Sequence, residues 1–209
     1  MPTRLHIPSG SRPRPALTLG DGIALTRARV HEACGPARWT FAMWLAGRVM
    51  GRAAGPVLWI APSWSAEGLH PAGILPWADP ARVLLVRPDR APDLLWCAEE
   101  ALRSGAAPLV VAELPEPPPL TPVRRLHLAA ETGAEAAPKG AAPLGLLLTP
   151  GDGGAAGAES RWHMAGRHDP PGRAWQLERR RARSAPPKAW IARPARRDSG
   201  RIGMQITAA

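Results

Sequence analysis

Residues 31–40, HEACGPARWT, occupy the position where phosphate chemistry would have to sit. They follow a short apolar run and precede a helical apolar pattern. At such a junction, chains that cradle a nucleoside triphosphate carry GxxxxGK(S/T): backbone N–H groups hold the phosphates, a Lys reaches the terminal ones and a hydroxyl holds magnesium. Gly35, Pro36 and Thr40 read as remnants of this loop, but it is shortened and lacks both the second Gly and the Lys. A cradle that short cannot wrap a triphosphate.

The other reactive side chains make no constellation. His31, His127, His163 and His168 have no metal-ligand spacing, and Cys34 and Cys97 stand far apart with no CxxC, so no metal, zinc site or disulfide framework is expected. Glu99 and Glu100 fall opposite a helical stripe, as a solvated face does. Ser104 and Ser160 lack a GxSxG context. No catalytic residue and no cofactor is expected.

Binding residues are easier to nominate. The chain has nine Trp, one Phe and no Tyr. Trp44, Trp59 and Trp96 fall in strand and helix segments and are expected in the core. Trp64 and Trp77 lie in loops, where a large apolar side chain can anchor an interface. Trp190 stands outside any core pattern beside Lys188, Arg193, Arg196 and Arg197, and is expected to anchor a partner. The run Arg179, Arg180, Arg181, Arg183 is either a soluble strand end or a contact to phosphate or an acidic groove. Contact is favoured because the basic charge continues beyond it.

The elements that must position these residues alternate. Short apolar runs at Val30–Cys34, Val57–Ile60, Val83–Val86, Leu109–Glu113 and Leu144–Thr149 read as strands buried on both faces, as in a parallel sheet. Between them, Phe41, Trp44, Leu45 and Val49 recur at helical spacing, as do Leu94, Ala98, Ala101 and Leu102, then Val123, Leu126 and Ala130. Thr121 followed by Pro122 predicts the start of the last helix. This alternation predicts a doubly wound, mainly parallel α/β sheet. Ser160–Ala165 and Trp175–Arg181 predict a closing antiparallel hairpin. The expected layout is a disordered segment over 1–20, one domain over 21–183, and a basic Pro- and Arg-rich tail over 184–209 that orders on a partner.

Charge follows the same division. Arg supplies 25 of 27 basic residues, and of the net +10, residues 167–209 carry +8. The N-terminus has no apolar signal core and no run reaches the ~18 apolar residues of a membrane span, so a cytoplasmic protein is expected.

Several long segments, in order, resemble the ImuA family of damage-inducible mutagenesis proteins: RVHEACGPARWTFAMWLA, PDLLWCAEEALRSGAAPLVVAELPEPPPLTPVRRLHLAAETGA, PLGLLLTPGDGG, ESRWHM and ERRRARSAPPKAW. A fainter resemblance to RecA rests on topology and on EALRSGA and LTP. The resemblance implies a RecA-like fold. It puts the magnesium-binding aspartate of RecA near Ala112, with Glu113 the nearest substitute, and the water-activating glutamate near Ser63. Lys, aspartate and glutamate would all be missing, so no hydrolysis is expected. The implied function is a non-enzymatic subunit of SOS-induced error-prone translesion DNA synthesis. It would dock a Y-family polymerase homologue, with RecA and an error-prone replicative-type polymerase as further partners and DNA contact direct or indirect. The alternatives are a SulA-like cell-division inhibitor and a DNA-binding RecA paralogue.

Overall fold

The computed structural model describes residues 15–20, 22–168, 172–196 and 200–209. A two-stranded ribbon, β1 (Ala16–Gly20) and β2 (Ile23–Thr26), precedes β3 (Val30–Cys34), α1 (Arg38–Met50), β4 (Val57–Ile60), the short α2 (Pro71–Ile74) and β5 (Val83–Val86). Then come α3 (Ala91–Ser104), β6 (Leu109–Glu113), α4 (Leu120–Ala136) and β7 (Leu144–Leu148). Four strands end the chain: β8 (Ser160–Gly166), β9 (Trp175–Ala182), β10 (Lys188–Arg196) and β11 (Ile202–Ala208).

β3 to β11 make one nine-stranded sheet in the order β11-β10-β9-β8-β3-β7-β6-β4-β5. The block from β8 to β5 is parallel, and β9, β10 and β11 extend it antiparallel. The fold is therefore the expected mixed α/β class, with a large mostly parallel sheet and a C-terminal antiparallel hairpin. β3 and β7 are buried along their whole length, as strands covered on both faces must be.

Two cores follow from the winding. On one face α1, α2 and the β1–β2 ribbon pack over Trp59, Trp162, Trp190 and Leu177. On the other, α3 and α4 pack over Val30, Ile60, Val110 and Leu147. α1 buries Phe41, Ala42, Met43, Trp44, Leu45, Ala46, Val49 and Met50, too many for one stripe, because sheet and ribbon both cover it. α3 and α4 approach so closely that a Cβ on Gly133 would overlap the Leu102 carbonyl.

Four expectations are corrected. Within residues 1–20, expected to be disordered, Ala16–Gly20 is a strand whose Leu17 and Leu19 are buried; residues 1–14 lie outside the described part. The expected free tail over 184–209 is the two strands β10 and β11, so the domain continues well past residue 183. Their backbone polar groups find partners in the sheet, and Trp190 and Ala192 finish the α1-side core. α4 starts at Leu120 with Pro119 as its N-cap and no side-chain cap, so Thr121 lies inside the first turn. Trp96 is 59% exposed rather than core, since it points away from the Leu94–Ala98–Leu102 stripe of α3. Among the described residues no helix is long and apolar enough to cross a membrane.

Candidate functional site

The turn from β3 into α1 is filled by protein. Gly35 adopts φ +85°, and a Cβ there would meet the Met164 carbonyl at 2.6 Å and the His163 ring at 2.7 Å. Its N–H donates to the Gly151 carbonyl (2.9 Å), and the Ala37 N–H, at the N-cap of α1, donates to the Met164 carbonyl (2.9 Å). In a phosphate cradle such groups would point at the anion. Here β8 and the loop after β7 consume them. Pro36 is exposed and Thr40 half-buried in the first turn of α1.

The loop 151–159 also has N–H groups converging on one point, and an internal carboxylate occupies it. Glu32 is fully buried on β3. Its Oε1 accepts from Thr149 Oγ1 (2.7 Å), Gly154 N (2.7 Å) and Ala155 N (2.9 Å), and its Oε2 from Arg161 Nε (2.5 Å). Burial alone would raise its pKa. The bonds from Ala155, Arg161, Thr149 and Gly154 outweigh burial and hold the carboxyl below the usual carboxylate range. The anion these groups hold is the chain's own carboxylate. Sequence reasoning missed Glu32; a Glu inside a run buried on both faces was the signal, but Arg161 is 129 positions away.

Behind it, His31 is also buried. Its Nε2 lies 2.9 Å from the Thr26 carbonyl, which only a proton on Nε2 satisfies, so Nδ1 accepts from Ser160 Oγ at 2.7 Å. The Ser160 oxygen in turn accepts from Trp162 Nε1 (2.7 Å). Burial pushes the His31 pKa down to about 4, with His127 and Arg29 adding to the shift and the Thr26 bond opposing it. A histidine depressed this far stays neutral in the fold while the unfolded chain takes up a proton below about 6.5. Stability is therefore complete above that pH, falls by about 3 kcal/mol as pH drops to about 4, and loses nothing further through His31 below it. Urea unfolding between pH 7 and 4 is expected to show that loss, and His31→Asn to flatten the curve. An unflattened curve would assign the loss to other groups.

Of the other expected positions, Ala112 is buried at the end of β6, and Glu113 is half-buried beside it, accepting from Trp59 Nε1 at 2.5 Å. Ser63 is bound through its N–H to the Pro88 carbonyl. Trp190 is 2% exposed and so is no free anchor; its ring meets Trp162 at 5.9 Å. Lys188 is exposed with its ammonium over Trp190, and Arg193 and Arg196 are exposed on β10. Arg197 lies outside the described residues.

The arginine run is divided by strand alternation. Arg179 is buried between the indoles of Trp162 and Trp190, 5.8 and 5.2 Å from their centroids, and donates to the Pro186 and Gly22 carbonyls. It cannot contact phosphate. Arg180 pairs with Asp152 (2.7 Å) and Glu178 (3.0 Å), which leaves Arg181 and Arg183 facing solvent, Arg183 3.7 Å from Glu159. Trp77 is half-buried edge-on to Trp175.

The exposed apolar surface lies elsewhere. Among the described residues the exposed large hydrophobics are Trp64 (52%), Leu75 (61%), Leu84 (51%), Leu85 (53%), Trp96 (59%), Leu120 (39%) and Leu128 (62%); Leu84 and Leu85 lie on β5, the end strand of the sheet, and Trp96 lines a cleft with Val86 at its end. Free edges are normally guarded by charge, Pro or a bulge. The arginines flanking β5 turn inward instead: Arg82 donates to the Met50, Ala53 and Gly55 carbonyls, and Arg87 to those of Pro62, Ser63 and Ser65. Arg87 thereby holds the loop carrying Trp64 against the end of β5. Sequence reasoning nominated Trp64 but not this edge, since VLLV reads equally well as a buried strand.

No protein-family profile matches the chain, and no curated protein matches it. Among solved structures, SulA from Pseudomonas aeruginosa is similar with a TM-score of 0.46 and 20% identity, over 58% of this chain and 98% of that one.

Proposed function

We propose that the chain is a non-catalytic docking subunit of SOS-induced error-prone translesion DNA synthesis, built on a RecA-like body whose nucleotide site is closed. An extended segment of a Y-family polymerase homologue would pair along β5 and bury Leu84, Leu85 and Trp96; RecA and an error-prone replicative-type polymerase are further partners. The identity of the partner comes from the resemblance of the sequence to the ImuA family. The unguarded apolar edge carries the docking reading, because soluble chains rarely leave one uncovered. Consumption of the Gly35 and Ala37 N–H groups, with Glu32 filling the adjacent nest, supports the absence of catalysis.

Calorimetry with ATP and magnesium is expected to give no binding heat. Leu84→Glu with Leu85→Glu is expected to keep the wild-type unfolding midpoint within a few degrees, since each residue is about half exposed and a carboxylate there can reach water. It should weaken capture of the polymerase homologue thirtyfold or more, as loss of a ~2 kcal/mol anchor does. Magnesium-dependent turnover would return the chain to the active paralogues. Capture of the division tubulin in place of the polymerase homologue would make it a SulA-like inhibitor.

A further inference from the structure

A cleft of about 270 Å³ opens at the C-terminal ends of β4 and β6. The chain leaves β4 toward α2, on the α1 face, and leaves β6 toward α4, on the other. Crevices in open α/β sheets form where neighbouring strands part in this way. Its apolar wall is Trp39 and Met43 of α1, with Leu69 and Ile74 opposite. Two carboxylates, Glu67 and Glu113, share it.

The two carboxylates are unbalanced. Among the described residues no Arg, Lys or His makes an ion pair with either, although the chain carries net charge +10. Glu113 is half-buried, and among the described residues the hydrogen bond it accepts is from a neutral indole. His70, at the rim, uses Nδ1 to accept the Ala72 N–H and cap α2, which suits the neutral ring. An apolar guest would strip water from Glu113 and return nothing, whereas a cation would offset both its desolvation and its charge. The volume falls below the ~300–1,000 Å³ of pockets for drug-sized ligands, so it suits one side chain rather than a nucleotide. The indole adds a preference: a planar guanidinium stacks on it and can still fork to a carboxylate, which a compact ammonium does less well. Arg38 already places its guanidinium 3.8 Å from the Trp39 centroid.

We infer that this cleft is a receptor for a single arginine side chain presented by another polypeptide, with the alkyl stem along Met43, Leu69 and Ile74 and the guanidinium held by Glu113 and Glu67. The inference does not depend on which protein supplies the arginine, and it is tested without one. The probe is N-acetyl-arginine-N-methylamide, titrated into ¹⁵N-labelled protein while the amides of Gly68 and Gly73 and the Trp39 indole are followed. Saturable shifts confined to these groups are expected, with Kd near ~1 mM for so small a ligand.

The isosteric citrulline derivative is expected not to saturate. Free arginine, which carries an α-ammonium and an α-carboxylate where a polypeptide has two peptide bonds, is expected to bind at least several-fold more weakly; equal or tighter binding would make this a metabolite site and overturn the polypeptide source. E113Q keeps the acceptor for Trp59 Nε1 while removing the charge, and should weaken binding tenfold or more. E67Q, at an exposed residue, tests the charge again if E113Q does not fold. G73L should block the cleft with both carboxylates intact, since a Cβ at Gly73 meets nothing within 4 Å. Citrulline binding as well as arginine, or affinity unchanged in both G73L and the charge variants, would overturn the proposal while leaving the β5 docking surface untouched.

Discussion

Trp190→Ala is expected to destabilise the protein by about 4 kcal/mol, the range for a fully buried aromatic truncated in a core that cannot collapse around it. The ring continues the series Trp44, Phe41, Trp162, whose successive centroids are 6.1 and 5.8 Å apart, and it forms one side of the slot that holds the buried Arg179 guanidinium. Truncation leaves that cation over a single indole. Urea unfolding checks the value, with Trp190→Phe as the milder comparison. Deletion after Ser184, which removes β10 and β11 together, should abolish cooperative unfolding. A loss below 1 kcal/mol for Trp190→Ala would mean that β10 is peripheral, and the free-tail expectation would stand again.

Glu32→Ala belongs in the same class, at about 3–5 kcal/mol, because removing one member of a buried ion pair strands its partner. Arg161 would lose its carboxylate, and the donors at Thr149, Gly154 and Ala155 would lose their acceptor in the interior. Glu32→Gln should cost less, since its amide oxygen still accepts three of the bonds. The two variants are to be compared by unfolding at pH 7. The Glu32 carboxyl has a lowered pKa, so its contribution is whole at neutral pH and is lost as pH falls through that lowered value. Equal losses for Ala and Gln would assign the effect to the Arg161 pair alone.

β4, β5, β6, β7 and the three long helices were legible because each has a one-dimensional signature: a short, mainly apolar run for a strand, a 3.6-residue stripe for a helix. β10 was not, because KAWIARPAR carries two arginines and a proline. The structure accounts for both. β9 pairs with β10 only from Lys188 to Ala192, so Pro194 lies beyond it, where a missing N–H costs nothing and charges reach water. The β1–β2 ribbon was missed although LTLGDGIALT carries alternation on each side of the sequence Gly-Asp-Gly, because the Pro-rich residues before it drew everything up to residue 20 into disorder. Trp96 was assigned by residue type where its spacing from Leu94 already turned it outward. The Glu32–Arg161 pair and the gathering of Trp64 with β5 rest on contacts between distant segments, which local patterns do not carry.

The central position of β3 bears on how the chain is made. One side of β3 pairs with β7 and the other with β8, strands that begin at residues 144 and 160, while none of the segments translated next after β3 touches its edges. On the ribosome, β3 leaves the exit tunnel with both edges bare and stays so until more than a hundred further residues have been synthesised, several seconds at ~5–20 residues per second. Closure of such long loops is slow. Over that interval the nascent chain exposes a strand with both edges unpaired and its Glu32 without Arg161, and chaperone supply during synthesis, more than the stability of the finished fold, is expected to set the yield of native protein.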